Sequence, residues 1–370
     1  MSTGSISSPS TSSSTTRLTS IVSHLSDARP KVVICRHLGP AMPLLQDRKD
    51  IEVVLWPEDR SCERSWLLDN IRGAAGVLVL LGDKVNEELL EAAGPNLRVV
   101  STMSVGYEHI DLPLMARRKI RVGYTPDVLT EADLSVMLAL MAGRNDGAAY
   151  SLVRNGDWAK PKFAWSPFTF CGPQLSATPS SPTRTVGFLG FGRIAQATLA
   201  RLIPFGITHC LYAGSPSSRP DTARDAALQA THKLKVLERV DADRLARESD
   251  VLFVLTPGGT ETYHLVDAAF LRKMKPMSVL INTSRGSVVD SDALATALRE
   301  KWIWGAGLDV VEGEPLITED HPLVKEPQCV MVPHIGSATF QTRLDMATRA
   351  INNLYGGLFG EDMPAELGRQ

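Results

Sequence analysis

Three short segments in the second half of the chain carry side chains suited to proton transfer and anion binding. They contain Arg285, Glu314 and His334, and apolar runs of strand length precede them. A histidine can protonate an alkoxide because its pKa lies near neutrality, and a carboxylate beside it favours the imidazolium. An arginine can hold the carboxylate of an organic acid through two parallel hydrogen bonds. Taken singly, however, Arg285 could be a surface ion-pair partner, Glu314 an acid in a loop and His334 a hydrogen-bonded structural histidine. A single residue of these types is structural more often than catalytic.

A glycine-rich turn earlier in the chain gives these residues a context. The sequence VGFLGFGRIA at 186–195 places the pattern GxGxxA between an apolar strand and a helix. Gly190 permits the tight turn, Gly192 lets a pyrophosphate approach the backbone, and Ala195 allows close helix packing. The helix N-terminus adds free N–H groups and a positive dipole end. The turn predicts a dinucleotide site; an ordinary strand–helix turn is the alternative. At such a site Arg285, Glu314 and His334 would assist hydride transfer to a 2-oxo acid.

The residues after the next strand indicate which dinucleotide is bound. NAD-binding folds usually place an acid about 20 residues beyond the glycine turn, where it binds the ribose hydroxyls. Here the strand at 209–213 runs into Gly-Ser-Pro-Ser-Ser-Arg, and the first acid is Asp221. The hydroxyl of Ser215 and the guanidinium of Arg219 suit a 2′-phosphate. We therefore expect NADP(H) to be preferred, with NAD(H) as a second cofactor; the alternative is a solvated turn with an exposed arginine.

The elements that must position these residues form two alternating strand–helix series. Continuous apolar runs are typical of parallel strands buried on both faces. In the first series they lie at 32–35, 53–56, 76–81, 97–101 and 120–122. In the second they lie at 185–190, 209–213, 251–256, 278–282, 306–310 and 330–332. Helices are predicted at 129–143 with Thr130 as N-cap, at 193–205 and at 339–358. The predicted fold class is α/β, with two doubly wound parallel sheets.

Composition excludes several classes of protein. With 39 Lys+Arg and 41 Asp+Glu among 370 residues, the net charge is −2, which gives no footprint for nucleic acid or an anionic membrane. The longest apolar stretch, 134–142, is far shorter than the roughly 20 residues that span a bilayer. The five cysteines are widely spaced and form no CxxC pair, so we expect neither a disulfide framework nor a metal site. A reducing, cytoplasmic location is the simplest interpretation.

The first 28 residues differ from the rest. Twelve of the first sixteen are Ser or Thr, too polar to offset the entropy of ordering, so we expect a disordered tail. The tail has no acid before Asp27 but only one arginine, which leaves a mitochondrial address as the weaker alternative.

Taken together, the motifs resemble those of the D-2-hydroxyacid dehydrogenases, and within that family the glyoxylate/hydroxypyruvate reductases. The resemblance runs from about residue 31 to residue 367. The motifs occur in the order of the family: STMSVG at 101–106, YTPDVLT at 124–130, the glycine turn, Thr256-Pro257, SRG at 284–286, GLDV at 307–310, EPL at 314–316, and the segment around His334.

The resemblance implies a role for each matching residue. His334 is the proton donor in reduction, Glu314 its carboxylate partner, and Arg285 the residue that binds the substrate carboxylate and polarises the ketone. Further substrate contacts are implied for Ser104, Val105, Gly106, Ser337 and Trp165. Cofactor contacts are implied for Gly190, Gly192, Arg193, Ile194, Thr256, Pro257, Thr283, Asp309 and Gly336, in addition to Ser215 and Arg219.

The resemblance also implies an architecture. A flavodoxin-like substrate domain comprises 29–127 and 336–370, and a Rossmann cofactor domain comprises 128–335 with an arm at about 158–183. The protein is expected to be a homodimer in which the arm carries Trp165 into the site of the partner; simple aromatic packing is the alternative. One departure from the family lies after Thr130, where the chain is about two residues short before Glu131.

The expected reaction is reduction of glyoxylate or hydroxypyruvate to glycolate or D-glycerate. The main alternative in the same family is 3-phosphoglycerate dehydrogenase, which is usually NAD-linked. A different class, the nucleotide-sensing corepressor-like scaffolds, shares this fold and can retain the catalytic set. Turnover of a 2-oxo acid with NADPH distinguishes an enzyme from such a scaffold.

Overall fold

A computed structural model describes residue 1 and residues 29–160, 168–215 and 217–368 of the chain. The predicted tail therefore lies almost wholly outside the described residues, as does Trp165. Within the described part, no helix combines the length and the apolar character that crossing a bilayer requires.

The described residues contain thirteen strands. In chain order these are β1 (Lys31–Ile34), β2 (Glu52–Leu55), β3 (Gly76–Val79), β4 (Val99–Thr102), β5 (Arg121–Gly123), β6 (Thr185–Leu189), β7 (His209–Ala213), β8 (Val236–Arg239), β9 (Val251–Val254), β10 (Val279–Asn282), β11 (Gly305–Leu308), β12 (Cys329–Met331) and β13 (Glu366–Leu367).

Twelve α-helices lie between and after these strands in the same described ranges. They are α1 (Pro43–Gln46), α2 (Arg64–Asn70), α3 (Glu87–Ala93), α4 (Leu112–Arg118), α5 (Glu131–Gly143), α6 (Asp146–Arg154), α7 (Arg193–Leu202), α8 (Thr222–His232), α9 (Ala242–Glu248), α10 (Ala268–Leu271), α11 (Ser291–Arg299) and α12 (Phe340–Phe359).

The first of two compact units contains residues 1–125 and 346–370. Its sheet has the order β13-β5-β4-β3-β1-β2, parallel except for β13, which pairs antiparallel to β5. Side chains alternate between two buried clusters: Val33 packs with the apolar residues of α2, α3 and α4, whereas Val32 and Ile34 pack with those of α12. Burial on both faces explains why these strands are continuous apolar runs.

The second unit contains residues 126–345 and a fully parallel sheet. The strand order is β12-β11-β10-β9-β6-β7-β8, so the chain winds outward from β6 to β8 and then crosses to β9 on the other side of β6. In such a sheet the crevice outside the carboxyl ends of the strands, at the point of reversal, is where ligands bind. The predicted fold class, with two parallel-sheet α/β domains, is confirmed.

The structure differs from the sequence predictions in local details. Strands β8 and β13 were not predicted, because β8 is a half-polar edge strand and β13 has only two residues. Thr130 occupies the N-cap position of α5 but makes no capping bond; its hydroxyl donates instead to Gly336 O at 3.1 Å. The hydroxyls of Thr342 and Thr130 also form a 3.3 Å bond, so residues 336–345 belong with the second unit. This unit therefore ends at residue 345, whereas the sequence suggested a boundary at residue 335.

Candidate active site

The carboxylate of Asp309 organises the carboxyl edge of the second sheet. Asp309 directly follows β11 and is 2% exposed. Its Oδ1 accepts the N–H of Ile335 at 2.6 Å, its Oδ2 accepts the N–H of Gly336 at 2.9 Å, and its carbonyl accepts the N–H of His334 at 2.9 Å. Three bonds from one residue therefore fix the backbone of the turn that follows β12.

His334 is held at this edge by its backbone and by its ring. Its φ of +53° lies in the left-handed region, an unfavourable conformation for a residue with a side chain, which the bonds to Asp309 maintain. Its Nδ1 lies 2.9 Å from Glu314 Oε1, and the N–H of Val311 donates to the other carboxylate oxygen of Glu314 at 3.3 Å. The pairing leaves Nε2 as the ring nitrogen that can meet a reactant.

The charge environment favours a protonated His334. The hydrogen bond with Glu314 raises the pKa of His334 above its usual value, while burial and the positive charge of Arg285 act against that increase. The histidine and glutamate side chains are 33% and 32% exposed, so both remain reachable from solvent. Burial also raises the pKa of Asp309, and the two N–H groups bound to its carboxylate oppose that effect.

Arg285 lies in a turn after β10 that a buried asparagine shapes. Asn282 is fully buried; its Nδ2 donates to Arg285 O at 3.0 Å, and its Oδ1 accepts bonds from the backbone and hydroxyl of Ser284 at 3.1 and 2.9 Å. A Cβ at Gly286 would lie 2.2 Å from Val311 C, so the turn packs directly on the backbone before Glu314. The role of Asn282 was not predicted, because an asparagine at a strand end has no signature that distinguishes it from a turn former.

The predicted cofactor residues lie in loops, or in the first turn of α7, at the carboxyl ends of the same sheet. They follow β6 (Gly190, Gly192, Arg193 and Ile194), β7 (Ser215 and Arg219), β9 (Thr256 and Pro257), β10 (Thr283), β11 (Asp309) and β12 (Gly336 and Ser337, the latter predicted to bind substrate). Thr283 is almost fully buried and its hydroxyl lies 2.8 Å from that of Ser135 in α5. The sheet thus gathers these segments on one edge, and their ligand contacts stay predictions.

The glycine turn has the geometry that a pyrophosphate requires. Gly190 has φ +89°, and a Cβ there would lie 2.7 Å from Leu255 O, so no other residue fits without displacement. Gly192 is the N-cap residue of α7 and has no atom within 4 Å of an added Cβ, which leaves open space in front of the helix N-terminus. Arg193, at the first helical position, pairs with Asp127. The turn therefore fits a dinucleotide.

An arginine that sequence reasoning missed contacts the turn after β7 from the neighbouring strand. Arg239, the last residue of β8, donates to Ser215 O and Ser218 O, both at 2.8 Å. Asp221, the first acid after β7, accepts the N–H of Arg224 at 3.0 Å as the N-cap of α8. Arg219 is exposed. The turn thus presents serine hydroxyls and guanidinium groups, while its nearest acid is used in capping.

The predicted substrate loop lies in the first unit, after β4. Ser104 is buried, its hydroxyl donates to Gly106 O at 2.7 Å, and it lies 2.6 Å from the hydroxyl of Thr102. Ser104 O accepts the N–H of Thr125 at 2.9 Å. The loop around Val105 and Gly106 is thus a compact, hydrogen-bonded turn at a strand end, and its contact with substrate stays a prediction. Trp165 lies outside the described residues.

Comparison with known proteins identifies the family. Residues 136–336 match the family model described as D-isomer specific 2-hydroxyacid dehydrogenase, NAD binding domain. The chain belongs to the D-2-hydroxyacid dehydrogenases. It is therefore an NAD(P)-dependent oxidoreductase acting on 2-hydroxy acids, and the resemblance found in the sequence is confirmed.

Two reductases are among the relatives of this chain. The chain is 44% identical over 320 residues to the human protein named glyoxylate reductase/hydroxypyruvate reductase. The aligned region covers 86% of this chain and 91% of the human protein. It is 41% identical over 346 residues to a glyoxylate reductase of Thermofilum pendens, covering 93% and 96% of the two chains.

A solved structure of similar fold comes from Sinorhizobium meliloti. It is an NADPH-dependent glyoxylate/hydroxypyruvate reductase in complex with NADP and malonate, with a TM-score of 0.73 and 31% identity. The similarity covers 92% of this chain and 97% of that one.

The contact between His334 and Glu314 predicts a change in histidine titration. Because Glu314 stabilises the imidazolium, Glu314→Gln should move the titration midpoint of His334 to lower pH. Histidine-selective NMR of isotopically labelled protein measures that midpoint directly. Glu312→Gln is a matched control, because Glu312 lies 3.0 Å from Nε2 of a different histidine, His264. A His334 midpoint that is equal in wild type and Glu314→Gln would contradict the pairing.

Proposed function

We propose that the protein is an NADPH-preferring reductase of small 2-oxo acids, converting glyoxylate or hydroxypyruvate to glycolate or D-glycerate. The observation that carries the proposal is the His334–Glu314 pair, pinned by Asp309 at the carboxyl edge of a dinucleotide-binding sheet. Arg285 lies at the end of the strand adjacent to β11 and acts electrostatically on His334. The name of the relative at 44% identity supports both substrates, and that of the relative at 41% identity supports glyoxylate.

The residues of the site perform separate parts of the reduction. The nicotinamide cofactor, when bound, supplies the hydride that adds to C2 of the 2-oxo acid. Arg285 binds the substrate carboxylate and polarises the ketone, which increases the positive character of C2. His334 gives its Nε2 proton to the C2 oxygen, so the product is a neutral hydroxyl, and Glu314 stabilises the imidazolium before that transfer. The pH dependence follows: reduction is favoured at pH values where His334 is protonated.

Support for NADPH comes from the turn after β7. A 2′-phosphate carries negative charge that an acid would repel and that guanidinium and hydroxyl groups can bind. The turn offers Ser215, Ser218 and Arg219, and Arg239 brings a further positive charge to its backbone. The related structure from S. meliloti contains NADP.

We also propose a cytoplasmic homodimer. The predicted arm around Trp165, which resembles the partner-contacting arm of the reductases, supports the dimer. The five cysteines are widely spaced along the chain and form no CxxC pair, which is consistent with a reducing compartment.

The proposed role of Arg285 is tested by a substitution that keeps its charge. Lysine cannot reproduce the planar two-bond contact with a carboxylate, so Arg285→Lys should lower kcat/KM for glyoxylate by roughly 10- to 150-fold, the equivalent of one charge-assisted hydrogen bond. Dissociation constants for NADPH, measured by fluorescence titration, should stay within about twofold of wild type, since the contact involves no cofactor.

Arg299→Lys provides the control for this substitution, because Arg299, whose side chain is 61% exposed, forms an ion pair with the carboxylate of Glu326 at 2.6 Å. It should change neither quantity. An equal loss of NADPH affinity in Arg285→Lys would place Arg285 on the cofactor and refute its assignment to the substrate.

The cofactor preference should reside in the turn after β7. Ser215→Asp should weaken use of NADPH and relatively favour NADH, since the new carboxylate repels a 2′-phosphate and can accept from a ribose hydroxyl. Arg219→Ala should lower kcat/KM for NADPH by roughly 10- to 150-fold if it loses one charge-assisted bond, with NADH as the internal control. Wild-type kcat/KM for NADH equal to or above that for NADPH would contradict the preference.

A further inference from the structure

A second carboxyl group approaches the catalytic turn from the start of α5. Glu131 is the first residue of that helix, and the bond from the Thr130 hydroxyl to Gly336 O joins the helix start to the turn that carries His334. A Cβ built on Gly336 would lie 2.7 Å from Cγ of Glu131 and 3.0 Å from Oδ2 of Asp309. The glutamate side chain therefore occupies the space beside Gly336 that any larger residue there would need.

Charged groups from three loops act on this carboxyl. Arg285 follows β10, Asp309 follows β11 and His334 follows β12. Behind them, Glu314 faces His334, and Arg343 of α12 interacts electrostatically with Asp309. Burial raises the pKa of Glu131 to about 7 and Asp309 adds to the effect, while Arg285 and His334 oppose it.

Among the residues that the structure describes, no hydrogen-bond or ion-pair partner explains the position of the Glu131 carboxyl. Within the described ranges, the two carboxylate oxygens of Glu131 form no hydrogen bond. The backbone carbonyl of Glu131 accepts a bond from the Ser135 hydroxyl at 2.8 Å. By contrast Asp133, on the same helix, forms an ion pair with Arg201. A half-buried carboxyl without hydrogen bonds, placed among catalytic groups, calls for a functional explanation.

We propose that Glu131 controls the affinity of the site for anionic substrates, because its ionised carboxylate competes with the substrate carboxylate for the positive charge of Arg285 and His334. The inference rests on the proposed function and adds a residue to it. It also gives a role to the segment after Thr130, which departs in length from the family.

The direction of the effect follows from linkage. A neutral Glu131 leaves the positive charge of the site available to the substrate, whereas an ionised Glu131 partly neutralises it. Substrate binding must in turn favour the neutral form, so binding takes up a proton at pH values where free Glu131 is ionised. Loss of the proton on His334 also weakens reduction at high pH, and a comparison of variants that share His334 separates the two groups.

The kinetic test compares Glu131→Gln with wild type between pH 6 and pH 8.5. Glutamine resembles the neutral carboxyl, so kcat/KM for glyoxylate should be similar in both proteins at pH 6. At pH 8.5, kcat/KM for glyoxylate should be roughly tenfold higher in Glu131→Gln than in wild type if substrate binding raises the pKa of Glu131 by about one unit. The matched control, Asp133→Asn, removes an acid from the same helix and should give a ratio that is constant with pH.

Proton uptake gives a readout that does not depend on turnover. Oxamate, a non-reducible analogue of a 2-oxo acid, is titrated into the NADPH-loaded protein at pH 7.5 in two buffers of different ionisation enthalpy. The account predicts that wild type takes up more protons on binding oxamate than Glu131→Gln does. Equal proton uptake by the two proteins would overturn the proposal. A ratio of kcat/KM in Glu131→Gln to that in wild type that is constant or uniformly low across the pH range would also overturn it. A wild type that neither binds oxamate nor reduces any 2-oxo acid would instead refute the proposed function.

Discussion

The buried carboxylate of Asp309 is the constraint on which the catalytic edge depends. A carboxylate that is 2% exposed is stable only if its oxygens find donors, and here the N–H groups of Ile335 and Gly336 supply them. The same residue accepts the N–H of His334 through its carbonyl. The end of β11 thereby dictates the path of the chain after β12, including the left-handed backbone of His334, the proposed proton donor.

From that constraint follows a set of mutually dependent charges. His334 can approach Glu314 because the turn directs Nδ1 toward it, and the pair favours the imidazolium. Gly336 has no side chain, so Glu131 can lie next to the same turn. Arg285 acts on both His334 and Glu131, and its charge helps to hold the glutamate below the pKa that burial alone would give. A substrate anion that enters the site would therefore change the protonation of several groups at once.

Much of the fold was predictable because its determinants are local. Continuous apolar runs marked the strands of both sheets, and GxGxxA marked the turn before α7, since strand burial and a tight phosphate-binding turn each demand particular residue types. Arg285, Glu314 and His334 could be proposed as catalytic residues because their types suit the chemistry and they follow strands.

What sequence reasoning missed depends on contacts between distant parts of the chain. Arg239 reaches the turn at Ser215 only because β7 and β8 are parallel neighbours, and β8 is too polar to be recognised as a strand. Glu131 looked like an ordinary acid in the first turn of a helix, where acids are favoured by the dipole. Asp309 was predicted to contact the cofactor, but its hydrogen bonds to the turn after β12 depend on the pairing of β11 with β12.

The central claim is that His334 supplies the proton during reduction of a 2-oxo acid. Single-turnover stopped-flow measurement of NADPH oxidation by glyoxylate at pH 7, in wild type and His334→Ala, tests it most directly. We expect the substitution to slow the transfer step by roughly 10²- to 10⁴-fold, the usual contribution of a general acid, and to leave the dissociation constant for NADPH nearly unchanged. A transfer rate in His334→Ala close to that of wild type would contradict it.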